Sequence, residues 1–149
     1  MKAELWPELG EFDRFSTNLT SGLTLPPPSK DLFTGGDPIA LPDQEKSAFM
    51  LREDGRKFFK VHTDTMQVAA DLNAVAEKTV DLIRARFGGS DKSIVLVGHG
   101  NSGRLLLHAL LKNSDAWKTI LTNTGIWMAE EQRDGTFKLR LLNDAPVKR

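Results

Sequence analysis

The nineteen residues from Ser93 to Leu111, SIVLVGHGNSGRLLLHALL, restrict the fold more than any other stretch of this chain. Ser93 to Val97 is short, β-branched and bounded by turn formers, the signature of a buried strand. Gly98, Gly100 and Gly103 break that strand around His99, Asn101 and Ser102, and Arg104 to Leu111 then reads as two to three turns of apolar helix. A strand, a glycine turn and a helix start aim backbone N–H groups at one spot. The helix N-terminus adds partial positive charge, so the natural guest is an anion. His99 stands at the carboxyl end of the strand, where open α/β sheets hold their ligands.

Composition narrows what the rest can be. Twenty Lys and Arg balance twenty Asp and Glu, and a neutral chain lacks the basic excess of a nucleic-acid or anionic-membrane surface. Without any Cys, disulfides, thiolate zinc sites and cysteine catalysis are excluded. No signal-peptide pattern opens the chain, and no apolar run approaches the ~18 residues of a membrane span. The expectation is a single cytoplasmic domain over residues 1–149, with no membrane or nucleic-acid partner.

Taken in order, residues 1–62 read as an irregular cover segment. Trp6 to Phe12 is an apolar-acidic cluster, and Pro26, Pro27 and Pro28 exclude a central strand because proline cannot donate to a ladder. Residues 44–59 suggest a short helix and a turn at Asp54-Gly55. The core spans 63–149. From Thr63 to Phe87, Val68, Ala69, Leu72, Val75, Ala76, Val80, Ile83 and Phe87 recur at helical steps. Asp71, Glu77, Lys78, Asp81 and Arg84 fall between them. Thr63 or Asp64 caps the start and Gly88-Gly89 the end, and the apolar face is expected on the sheet containing Ile94 to Val97. Thr119 to Thr122 and Gly125 to Glu131 read as strands. Asp134-Gly135 is a hairpin turn before the alternating Thr136 to Leu142, and the last residues are expected to fray. The class is α/β, ending in a β-hairpin.

Three chemistries can be weighed at the glycine turn. Gly98, Gly100 and Gly103 satisfy G-x-G-x-x-G, but the acidic residue that a dinucleotide fold needs about 20 positions on is missing. A serine-hydrolase elbow needs serine at the apex, where this chain has His99. His62, His99 and His108 lack metal-ligand spacing, so neither a metal nor a cofactor is expected. His62 is expected to be exposed, and His108, inside an apolar helix, reads as a packing residue. What remains is a histidine able to hold or protonate a phosphoryl group, with Asn101, Ser102 and Arg104 divided between capping and phosphate contact.

Val97-Gly98-His99-Gly100 followed by an apolar helix resembles the second histidine motif of the histidine phosphatase superfamily, the phosphoglycerate-mutase-like proteins. The amphipathic helix before it, the Asn123-Thr124-Gly125-Ile126 segment before a hairpin, and Leu9-Gly10-Glu11 resemble further features of that family. The resemblance implies a three-layer α/β domain acting on a small phosphorylated metabolite. Phosphomonoester hydrolysis or phosphoryl transfer would use His99 and Glu11 as catalytic residues, and Gly98, Gly100, Asn101, Ser102 and Arg104 to bind phosphate.

It also implies a defect. The family's opening strand, ending in Arg-His-Gly with the nucleophilic histidine, has no counterpart here, so the domain reads as truncated at the front and its chemistry as impaired. The alternative is a catalytically inactive relative that binds an anion or a protein. Without a neighbouring strand, Ile94 to Val97 would form an apolar edge, which predicts cover by residues 1–59, self-association, or a partner chain over that edge.

Overall fold

A computed structural model describes residues 2–10, 24–60, 65–112 and 120–147 of the chain. Two helices, α1 (Thr65–Phe87) and α2 (Gly100–Leu111), lie against each other. Two small sheets flank them. One pairs β1 (Ala3–Leu5) with β2 (Phe49–Leu51) in parallel; the other is the antiparallel set β3 (Met128–Glu131), β4 (Phe137–Leu142) and β5 (Ala145–Pro146). The chain is thus a small mixed α/β domain.

α1 follows its periodicity. Val68, Ala69, Leu72, Val75, Ala76, Val80 and Ile83 are buried, while Glu77 and Asp81 face solvent. Arg84 and Arg86 occupy the last turn, where cations complement the helix dipole. The Gly88 N–H bonds the Arg84 carbonyl at 2.9 Å, and Gly89 leaves the helix at φ +66°, a left-handed conformation that favours glycine. The proposed caps at Thr63 and Asp64 lie outside the described residues.

The apolar face of α1 rests mainly on α2, where a sheet was expected. Leu105, Leu106, Ala109 and Leu110 of α2 join Val68, Leu72, Val80 and Ile83 in one cluster, closed at its rim by Trp6, Leu9, Leu96, Trp127 and Phe137. Leu96 is therefore the only member of the Ser93–Val97 run in that cluster. The run itself is not a strand among the described residues: a strand exists only through its ladder, and none of the described residues pairs with it.

The periodicity places Asp71 on the solvent face of α1, yet it is completely buried. The segment after the proline triplet covers it. Its carboxylate accepts the Ser29 N–H and hydroxyl, both at 2.7 Å, and the Gln67 amide at 2.9 Å. Three donors satisfy a group that would otherwise be costly to bury.

Residues 1–62 are more ordered than their irregular composition suggests. β1 pairs with β2 in the register Ala3↔Phe49, Glu4↔Met50 and Leu5↔Leu51, both strands falling where the sequence carries little alternation. Residues 43–45 form a single 3-10 turn instead of a helix, and the Asp54 turn is present. Beyond β1, Trp6 lies under the guanidinium groups of Arg52 and Arg86, 4.7 and 5.6 Å from its ring centroid. Arg86 forks onto Glu4 at 2.7 and 3.0 Å, joining the N-terminal segment to the end of α1.

The hairpin forms around Asp134-Gly135 as expected, with Ala129↔Leu139 and Glu131↔Phe137 paired and an irregularity at Met128. Residues 120–122 are not a strand. The tail, expected to fray, adds β5 through Leu141↔Pro146 and Leu142↔Ala145.

Candidate functional site

The glycine turn begins α2 four residues earlier than the apolar pattern indicates, because the turn is itself the first turn of the helix. His99 is the N-cap residue, extended at φ −97° and ψ 161°. Its carbonyl accepts the Gly103 N–H at 2.8 Å, the first bond of the helix, and its own N–H donates to Ser102 Oγ at 3.3 Å. Ser102 at the third helical position closes back on the cap, as a capping-box residue does.

Ser102 is buried and does a second job. Its hydroxyl lies 3.2 Å from the Leu9 carbonyl and 3.1 Å from the His99 carbonyl, so one proton is shared between two acceptors. Leu9 is thereby held against the turn from ninety-three positions away. Gly98 eases the same approach: a β-carbon there would sit 3.2 Å from the Leu9 oxygen, so that Leu9 would have to give by a few tenths of an ångström.

The predicted phosphate ligands therefore separate. His99, Gly98, Gly100 and Asn101 are exposed. Nothing would crowd a β-carbon at Gly100 within 4 Å, which leaves that side of the turn open. The first N–H groups of a helix have no intrahelical acceptor, and here the positive end of the α2 dipole is open to solvent. Ser102 faces inward as cap and tie, and Arg104 is half-buried. Glu11, the proposed acid, and His62 lie outside the described residues. His108 is half-buried in α2, in keeping with a packing role.

The sequence reading missed the tie between Leu9 and Ser102. A serine three residues after His99, at the capping-box spacing, was its one available signal. One hollow lies beside Pro26, Pro28 and Phe33 on α1 and another between Arg84, Leu110 and Phe137. With residues 98–101 exposed, the turn is an open surface cradle. No three His, Asp or Glu side chains among the described residues come together as a metal-ligand group, and no helix among them is long and apolar enough to cross a membrane.

Set against known proteins, the chain matches no family model, no curated protein and no solved structure.

Proposed function

We propose that this chain is a histidine-phosphatase-like domain whose α2 turn receives the phosphoryl group of a small metabolite. The observation that carries the reading is the bond from Ser102 to the Leu9 carbonyl. It holds the backbone two residues before Glu11 against the turn that carries exposed His99. An anion at the open N–H groups of Gly100 and Asn101 would meet the helix dipole and the imidazole together.

In hydrolysis, water attacks phosphorus, the ester P–O bond breaks, the departing oxygen takes a proton from Glu11 or from protonated His99, and the proton lost by the attacking water restores that acid. The turn supplies electrostatic stabilisation, and His99 and Glu11 supply proton transfer. The second reading is a binding protein without turnover. It is favoured by the exposure of residues 98–101, since an open cradle excludes water poorly.

Phosphate release from an aryl phosphate, measured beside inorganic phosphate binding by calorimetry, separates the two. Turnover that His99→Ala abolishes supports the enzyme. Binding weakened by His99→Ala, with no turnover, supports the binding protein. A folded chain that shows neither sinks both readings.

A further inference from the structure

Residues 93–97 carry exposed apolar side chains on a backbone that joins no sheet among the described residues. Val95 and Val97 are 88% and 86% exposed, whereas Leu96 packs on the core and Ile94 is 36% exposed. Alternate side chains therefore face opposite ways, as along a strand. Yet among the described residues no backbone hydrogen bond begins or ends on residues 93–98. The outer edges of the described sheets are blunted: β3 carries Glu130 and Glu131, β5 is two residues long with Pro146, and β1 and β2 are only three residues long, β1 carrying Glu4. Ser93 to Val97 has no charge, no proline and no bulge, the features that keep an edge from pairing.

We infer that this segment is the interface of a homodimer, pairing antiparallel with the same segment of a second copy about Val95. Self-pairing has a register that the side chains select. Opposite residues in an antiparallel pair share a face, so Leu96 must oppose an apolar residue on its own side of the alternation. Centring on Val95 meets that condition, with Ile94 opposite Leu96 and Ser93 opposite Val97. It also sets Asp91 of each copy opposite His99 of the other, a complementary pair at both ends. Shifting the centre to Ile94 would turn Lys92 inward opposite Leu96. Shifting it to Leu96 would shorten the apolar overlap and lose the Asp91–His99 match. The balanced charge of the chain leaves no long-range repulsion to oppose the contact. The inference needs no ligand, although its register sets Asp91 of the second copy against His99, the residue of the phosphoryl-binding reading, where its carboxylate would compete with an anion. Disulfide cross-links report the pairing whether or not phosphate binds.

The absence of cysteine makes the register directly testable. In Val95→Cys the two thiols would face each other across directly opposed residues, ~4.5–5.5 Å between α-carbons, within disulfide range. In Val97→Cys, equally exposed, they would be offset by four residues, about 13 Å. Mild oxidation should cross-link the first and spare the second, and mixed Ser93→Cys and Val97→Cys chains should cross-link to each other. Light scattering at tens of micromolar should give a dimer, and Val95→Lys should raise its dissociation constant at least about tenfold by opposing like charges. A monomeric wild-type chain overturns the proposal and leaves a strand from a different protein as the occupant. A dimer in which Val97→Cys cross-links as fast as Val95→Cys overturns it in favour of another interface.

Discussion

Arg52 closes on Glu8 through both of its amino groups, Nη2 to Oε1 at 2.5 Å and Nη1 to Oε2 at 3.1 Å, forty-four positions apart in the sequence. Both side chains are buried, 7% and 1% exposed, and Arg52 Nε also donates to Asp54. Burial works against the guanidinium charge, but the Glu8 and Asp54 carboxylates outweigh it and raise the Arg52 pKa above its ordinary value. The pair joins the Pro7–Leu9 3-10 turn, which touches both helices, to the residue after β2. The site's Leu9 contact therefore depends on it.

Removing one partner should leave a buried charge unpaired. Arg52→Ala or Glu8→Ala is expected to lower unfolding free energy by about 3–5 kcal/mol, measured by urea denaturation. The double variant should lose less than the sum of the singles. Simple additivity would show that the two groups are not coupled.

Asp71 is a second buried carboxylate, and its three donors come from Ser29 and Gln67. Asp71→Ala should destabilise the chain by roughly 2–4 kcal/mol, because Ser29 loses acceptors for both its N–H and its hydroxyl. Protease susceptibility around residues 24–32 should rise with it. A variant as stable as the parent would show that the proline-rich segment is not clipped to α1.

Ser102→Ala removes a helix cap and the Leu9 tie together. A loss of about 1–2 kcal/mol is expected, and Ser102→Thr should recover part of it. If capping were the whole role, phosphate binding would be untouched once the protein is folded. The proposed function predicts weaker binding as well, since Leu9 is released from the turn.

Acid should act partly through Asp54. The hydrogen bond from Arg52 holds its carboxyl below the usual aspartate range. A depressed folded pKa contributes stability that is present above the unfolded value, near ~3.9, and is lost as pH falls through the folded value. The side chain is 58% exposed, so solvent screening keeps the contribution small. Asp54→Asn should flatten the acid limb of a stability-against-pH curve and leave the neutral plateau nearly level.

Local pattern was sufficient for α1, for the Gly88-Gly89 stop and for the Asp134-Gly135 hairpin, because each is specified by neighbours within a turn or two. Helical periodicity and turn chemistry act over such distances. The same local signal that marks Ser93–Val97 as a strand could not supply a ladder, which requires a second segment of chain. Nor could composition show that Glu8 meets Arg52, that Ser29 covers Asp71, or that Leu9 reaches Ser102. Those contacts join residues forty to ninety positions apart, and nothing in the spacing of either partner encodes the other.

The candidate site divides in the same way. Sequence by itself determined that His99 stands in a glycine turn at the start of a helix, because three glycines after a β-branched run leave the backbone little else to form. Tertiary structure decided which turn residues face out and which face in. Ser102 is inward because the Pro7–Leu9 segment packs across the helix start and offers a carbonyl to its hydroxyl. His99 and Gly100 are outward because no described element covers them.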